Sequence, residues 1–325
     1  MKAKKVVKTL NMPKSEWLKH RQNGIGGSEV GAILGLNPFQ SSIELFYNKL
    51  GEIEPKQENI PMFMGNFLED KVAELYQYYE KDNETLIKNY NSGKKINKIE
   101  RVNYLLSNKD YPYLLGNIDR VQTSPEKCLI EIKTISGFAM SSWESGIPVY
   151  FLAQIQAYLM ITGLSLCKLV MLKDGRYLEV YEVRENKELQ KHIAEMCTEF
   201  WKRVEGARKL KAEGRPYESL EPEPDNSEAY ANFLKDRYKE KPVTIQGGME
   251  LYEIAQKYND CKFRITEIEL EQQGYKNKLM NALKNASKID FGTNIGYVSW
   301  LENAKGTRIF NCKIKTVELK KSVNF

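Results

Sequence analysis

Histidine is nearly absent: the 325 residues contain only His20 and His192. That scarcity disfavours histidine-built zinc sites and histidine-based triads, and leaves carboxylates and lysine to carry any chemistry. Cysteine is also sparse. Cys128, Cys167, Cys197, Cys261 and Cys312 lie far apart and are odd in number. They show no metal-ligand spacing and no disulfide framework, so a reducing cytoplasm is expected and an iron–sulfur centre is not. No apolar run approaches the length of a membrane span, and Met1–Lys8 lacks the apolar core and cleavage site of a signal peptide. What the chain does have is charge. Its 49 Lys and Arg against 43 Asp and Glu give +6, beside 42% hydrophobic residues. This supports a real core and permits a nucleic-acid partner without requiring one.

The most informative stretch runs from Leu114 to Lys133 and reads as a β-hairpin. An extended run leads to a turn cluster at Thr123–Lys127, and strict alternation follows. In the second run Ile130 and Ile132 point one way, Glu131 and Lys133 the other. A hairpin centred on Pro125 places Asp119 opposite Glu131 and Asn117 opposite Lys133. Directly opposed Cβ atoms lie roughly 5 Å apart, and two carboxylates that close repel unless a cation bridges them. Oxygen-only ligation favours Mg²⁺ or Mn²⁺. A surface hairpin with an incidental charge ladder gives the same periodicity, so the hairpin alone leaves both readings open.

Upstream, Ser15 reads as the cap of a short helix carrying Trp17 and Leu18. A turn with Gly24, Gly26 and Gly27 leads to Ser28, read as the cap of a second helix over residues 29–34. With Arg21 just before it, this is either an anion site or an ordinary capped helix. It is not a Walker loop. Ser42 is expected to start a helix, and 62–76 another with a buried stripe of Leu68, Val72, Leu75 and Tyr79. There Gly65 permits close backbone approach, and Glu69 sits at the stripe's edge. Residues 84–108 read as a strand pair turning at 91–95, and 137–146 as a covering loop. Residues 148–163 form a helix apolar nearly all round, which obliges Gln154 and Gln156 to find partners. Gln154 and Tyr158 share a face. Strands at 167–172 and 177–183 and a helix at 188–211 follow.

Composition shifts at Gly206, and 206–248 reads as a linker around a short helix. From Leu251 apolar residues recur at coiled-coil spacing, interrupted by Gln272, in an arm of about 50 Å. Residues 290–325 hold strand-like pieces in a small basic, aromatic module.

Five motifs in order carry a family resemblance: Trp17 with Arg21 through Gly27-Ser28-Glu29-Val30, Gly65-Asn66-Phe67-Leu68-Glu69, Gly116-Asn117-Ile118-Asp119, Glu131-Ile132-Lys133, and Ala153-Gln154-Ile155-Gln156. The chain resembles the PD-(D/E)XK nuclease superfamily and, more narrowly, the YqaJ-type viral recombinase family to which lambda exonuclease is related. Where relatives often have Pro before the Asp, this chain has Ile118. The resemblance implies an α/β fold with a central mixed sheet flanked by helices over residues 1–205, then the linker at 206–248, a helical arm at 249–289 and a small β-rich module at 290–325. It implies that Asp119, Glu131, the main-chain carbonyl of Ile132 and Glu69 bind one or two Mg²⁺, with Mn²⁺ as a substitute. Lys133 would position the attacking water and Gln154 would support the site, with Gln156, Tyr158 and Asn117 as secondary candidates. Arg21 and Ser28 would hold a DNA 5′-phosphate.

The implied function is an Mg²⁺-dependent exonuclease that digests linear double-stranded DNA 5′→3′. It would leave 3′ overhangs for a single-strand annealing partner, in a phage or prophage setting within the bacterial cytoplasm. Relatives include homotrimeric rings, so a homo-oligomer is expected. Two alternatives stand beside it: an endonuclease or single-strand-specific nuclease of the same superfamily, and a non-catalytic DNA-end-binding recombination protein.

Overall fold

The computed structural model describes residues 3–53, 58–137, 143, 146–238, 244–292, 295–303 and 305–314. The chain divides into two compact units, Met1–Glu240 and Lys241–Phe325.

The first unit opens with β1 (Lys4–Lys8), α1 (Lys14–Gln22), β2 (Ile25–Gly26), a 3₁₀ turn at Gly27–Glu29 and α2 (Val30–Ile33). Then come α3 (Ser42–Lys49), α4 (Ile60–Tyr76), α5 (Asn83–Asn91), β3 (Lys98–Arg101), β4 (Tyr104–Asn108) and β5 (Tyr111–Asn117). Strands β6 (Arg120–Ser124) and β7 (Cys128–Ile135) are followed by α6 (Val149–Thr162), β8 (Leu166–Lys173), β9 (Tyr177–Arg184), α7 (Lys187–Ala212) and α8 (Glu228–Arg237).

Not one sheet but two organise this unit. A five-stranded sheet runs β3-β6-β7-β8-β9, with β7 and β8 parallel and the other neighbours antiparallel. A four-stranded sheet runs β1-β4-β5-β2. Helix α6 is the crossover that parallel β7 and β8 require. Because side chains alternate, Ile130 and Ile132 pack with Val72, Ala73 and Tyr76 of α4, while Leu129 and Leu169 join the opposite core with Ile155 of α6 and Ile193 of α7. The sheet is covered on both faces. At its outer strand β9, the Asn83 side chain donates to the Leu178 carbonyl at 3.0 Å and accepts from its N–H at 2.9 Å.

The hairpin register is the expected one: Arg120 pairs with Ile130, Val121 with Leu129 and Gln122 with Cys128. Asp119 and Glu131 lie one step past the last rung. Asn117, however, is not opposite Lys133. It pairs with Leu105 of β4, because the chain changes sheets at Ile118 and Asp119.

Several local expectations are corrected. Residues 83–91 form a helix rather than a strand, since Asp82 and Thr85 close a capping box at its start. β3 and β4 then join different sheets. Ser15 lies inside α1, whose cap position is Pro13, and Ser28 lies inside the 3₁₀ turn. A Cβ added at Gly65 would meet Thr134 Oγ1 at an ordinary 3.6 Å, so close approach does not require that glycine. Of the covering loop, 138–142 and 144–145 lie outside the described residues.

The stretch read as a linker belongs largely to the first unit. α7 runs on to Ala212, and Tyr217, Leu220, Tyr230 and Phe233 pack into the main core. The Tyr47 hydroxyl donates to Glu221, and Arg237 lies 3.6 Å from the centre of the Tyr47 ring. Proline and charge dominate the composition there, but four large apolar side chains suffice to bind it down.

The second unit holds α9 (Met249–Leu283) and an antiparallel meander of β10 (Lys288–Asp290), β11 (Gly296–Glu302) and β12 (Arg308–Ile314). Among the described residues no helix is long and apolar enough to cross a membrane. Gly274 sits in the interior of α9, and a Cβ added there meets nothing within 4 Å. Gly274→Ala is therefore expected to stabilise the helix by about 1 kcal/mol, read as a higher midpoint in the thermal melt of helical ellipticity.

Candidate active site

The groups gather where the two sheets part. Asp119 Oδ2 accepts the Ile132 backbone N–H at 2.8 Å, which fixes its carboxylate against β7. Glu131 is buried on the α6 side of the sheet, and its Oε1 takes the Lys133 ammonium at 2.7 Å and the Gln154 amide at 2.6 Å. Gln154 also lies 3.4 Å from the Tyr158 hydroxyl, one turn along α6. Glu69, from α4, receives the Arg120 guanidinium at 2.8 Å. The same guanidinium donates to the Asp119 carbonyl at 2.6 Å and pairs with Asp70. Glu69, Asn117, Asp119 and Arg120 line a cleft of about 290 Å³, with Trp17 at its wall.

Charge here is unbalanced. Burial and the neighbouring Glu131 and Glu69 push the Asp119 carboxyl well above the usual carboxylate range, against the pull of Lys133 and the Ile132 N–H. Burial lowers the Lys133 ammonium, yet Glu131 and Asp119 outweigh it and hold the group above its usual value. Lys133 is thus a cation and a proton donor at neutral pH, not a base.

A metal ion fits this donor set. Glu69, Asp119 and Glu131 each commit one oxygen to the protein contacts above, and the second oxygen of each has no protein partner among the described residues. Oxygen donors left over beside an excess of negative charge are what a hard divalent cation takes. They are not drawn together as a formed site: among the described residues no group of three or more His, Cys, Asp or Glu is placed to hold a metal ion.

A second cluster lies across Tyr158. Arg21 is buried, pairs with Glu29 at 2.9 Å and stacks on Trp17 at 5.0 Å. Its Nη2 is 3.5 Å from Ser28 Oγ, and its Nε is buried without a partner among the described residues. Glu29 also binds the Lys49 ammonium at 2.8 Å and the Gly26 N–H at 2.6 Å. Two cations share one carboxylate, leaving one net positive charge. Gly26 and Gly27 are explained by this packing. A Cβ at Gly26 would come within 2.0 Å of Arg21 Nη2, and one at Gly27 within 2.2 Å of the Tyr158 ring.

Asp119, Glu131, Lys133, Gln154, Tyr158 and Glu69 are therefore brought together, as are Arg21 and Ser28. Asn117 reaches the cleft wall, where it accepts from Trp17 Nε1 at 3.3 Å. Gln156 does not reach the site: it bonds the Arg184 carbonyl, the Asn186 N–H and Gln190, tying α6 to the start of α7. Glu29, Lys49 and Arg120 escape a sequence reading. Each looks like a solvated charge, and only burial by distant elements makes it a partner. Glu29 belongs to the Gly27-Ser28-Glu29 motif, and that is the local signal the sequence carries for it.

Residues 16–165 match the model of the YqaJ-like viral recombinase domain. Over 323 residues the chain is 28% identical to the uncharacterized protein YqaJ of Bacillus subtilis (strain 168), spanning 97% of this chain and 91% of that protein. Among solved structures it is similar to an alkaline exonuclease (LHK-Exo) from Laribacter hongkongensis. That match has a TM-score of 0.49 and 17% identity, and covers 62% of this chain and 98% of that one. A phage related exonuclease from Haemophilus somnus 129PT matches with a TM-score of 0.40 and 11% identity, covering 61% and 99%.

Burial alone would raise the Glu29 carboxyl, but Arg21 and Lys49 outweigh it and bring it down to about 2. A folded-state value below the unfolded one stabilises the protein at neutral pH, and that stabilisation is lost as pH falls from about 4.5 towards about 2. Glu29→Gln leaves two buried cations without a counter-charge, so it should destabilise the fold by on the order of 3 kcal/mol at pH 7. The gap between variant and parent in urea unfolding should narrow at pH 3.

Proposed function

We propose that the chain is a nuclease that hydrolyses linear double-stranded DNA from its 5′ ends in an Mg²⁺-dependent reaction, acting in phage-type recombination. The observation that carries this reading is the gathering of three carboxylates, Asp119 and Glu69 at the cleft and Glu131 buried behind them, each with one oxygen left over and with the Lys133 ammonium beside them. The recombinase domain over residues 16–165 supports the same reading.

Asp119, Glu131, Glu69 and the Ile132 carbonyl would hold one or two Mg²⁺, with Mn²⁺ able to substitute. When bound, the metal supplies positive charge at the scissile phosphate and makes water acidic enough to attack near neutral pH. Lys133 stays protonated, so it orients that water and donates to the phosphate oxygens as their charge grows. Gln154, held between Glu131 and Tyr158, keeps the Glu131 carboxylate from turning away. Arg120 aligns Glu69 while bracing the Asp119 backbone. Arg21 and Ser28 bind the 5′-phosphate of the DNA end, and Lys49 offsets Glu29 so that Arg21 keeps charge to offer. In-line displacement then releases one nucleotide and leaves a 3′ overhang for a single-strand annealing protein. By family resemblance the working form is a homo-oligomer, a ring of three around the duplex.

Digestion of linear duplexes with and without a 5′-phosphate, set against a closed circular duplex, tests the proposal. We expect Mg²⁺-dependent degradation of the linear DNA, a preference of at least about tenfold for the 5′-phosphorylated end that Arg21→Ala abolishes, and an intact circle. Asp119→Asn and Lys133→Ala should each lower the rate by about 100-fold or more while duplex binding persists. Cutting of the circle would replace the exonuclease with an endonuclease. Undiminished digestion by Asp119→Asn would remove the metal site.

A further inference from the structure

The net positive charge of the chain comes from its C-terminal end. Residues 272–325 hold ten Lys and Arg against three Asp and Glu, a net +7, while the 271 residues before them hold 39 against 40. An excess confined to one end of a chain is the electrostatic footprint of a segment that binds a polyanion. Little of it is neutralised within the fold. Lys276, Lys278, Lys284, Lys305 and Lys313 have no carboxylate partner among the described residues, where the one ion pair of this stretch joins Lys288 to Asp290 at 2.7 Å. The β meander gives the charge a shape, since directly opposed residues of neighbouring strands share a face. Tyr297 lies opposite Lys313 on one side and Asp290 on the other, and Ser299 lies between Asn311 and Lys288. Val298, Trp300 and Phe310 alternate onto the other face, which α9 meets: Val298 is buried and Lys276 lies 5.7 Å from the Phe310 ring centre. On the face turned away from α9, Lys288, Asp290, Tyr297 and Lys313 line an open cleft of about 460 Å³ with Gly292 and Gly296. The Lys288 ammonium stands 4.6 Å from the centre of the Tyr297 ring, which is half-buried. Gly296 has a φ of 121°, and a Cβ there would come within 2.0 Å of the Lys313 carbonyl oxygen, so the cleft keeps its form only with glycine at that position.

We infer that this cleft binds single-stranded DNA, with an unpaired base stacked on Tyr297 and the neighbouring phosphates on Lys288 and Lys313. A ring flanked by two ammonium groups meets both halves of a nucleotide, the flat base and the anionic phosphate. It selects the unpaired strand, because in a duplex the faces of the bases are already covered by their neighbours. Lys288 leaves the ring for a phosphate as the base arrives, and the unpaired lysines around the cleft add attraction that is independent of sequence. The site performs no hydrolysis. In the reaction proposed above, whose product is a single-strand overhang, it holds the chain to that product; this role, unlike the binding itself, rests on the proposed function.

Fluorescence anisotropy of a labelled oligothymidylate with a 5′-hydroxyl, titrated with full-length protein in EDTA, reads the site apart from hydrolysis and from the 5′-phosphate contacts of Arg21 and Ser28. We expect Tyr297→Ala to weaken binding by about tenfold or more, and Tyr297→Phe to hold it within about twofold. Lys288→Gln with Lys313→Gln changes only exposed side chains, and it should lower the slope of log affinity against log salt by about 1.4, the loss of two phosphate contacts on a single strand. Relaxed closed circular duplex should compete at least about tenfold less well than unlabelled oligothymidylate. Parent-like binding by Tyr297→Ala overturns the stacking, and an unchanged salt slope overturns the phosphate contacts. A circle that competes as well as the oligothymidylate reduces the cleft to a charged patch and overturns the inference. Tyr297-dependent binding by a chain that digests no linear duplex keeps this site and removes the nuclease reading; digestion without such binding does the reverse.

Discussion

A single hydrogen bond marks the point on which the first unit turns. The backbone N–H of Ile132 reaches the Asp119 side chain at 2.8 Å, at the place where the chain leaves the four-stranded sheet and enters the five-stranded one. One residue later Arg120 begins the ladder with Ile130, and its guanidinium returns to hold the Asp119 carbonyl and Glu69. Sheet exit, carboxylate orientation and the attachment of α4 thus share four adjacent groups. A polar junction of this kind would be expensive if any member lacked a partner. Here each has one, and what is left over is negative charge on the second carboxylate oxygens.

The two clusters on either side of Tyr158 solve opposite electrostatic problems. Around Asp119 the carboxylates of Glu69, Asp70, Asp119 and Glu131 outnumber the cations Arg120 and Lys133, while around Glu29 two cations outnumber one carboxylate. Burial makes both imbalances strong, because little water is present to screen them. The Tyr158 hydroxyl feels both, pushed well above its usual value by burial and Glu131 and drawn back by Arg21. It stays neutral and bonds with Gln154. Tyr158 can sit there only because position 27 has no side chain.

Periodicity made much of this readable in the sequence. The Pro125-centred register, the buried α6, the hairpin of β8 and β9 and the arm α9 follow from patterns within a few residues of one another. What escaped depends on distant partners. Asn117 was set against Lys133 because nothing local says that β5 belongs to another sheet. Residues 83–91 alternate weakly enough to pass for a strand, and the deciding signal was the Asp82–Thr85 cap. Glu221-Pro222-Glu223-Pro224 looks like linker composition until Tyr47 and Arg203 are seen to hold Glu221. Of the site, the carboxylates and lysine were legible as a motif. Arg120, Lys49 and Glu29 were not, since their roles come from being enclosed.

Asn83 has a role beyond local geometry. Its side-chain amide satisfies both the N–H and the carbonyl of Leu178, the groups that the outermost strand β9 turns away from the sheet. An amide doing the work of a peptide unit is a counterfeit strand one residue long. A bare strand rim is a template on which another chain can add and continue the sheet. With that rung filled by a side chain anchored at the start of α5, the rim of β9 is blocked at Leu178, and the sheet gains protection there against stacking edge to edge.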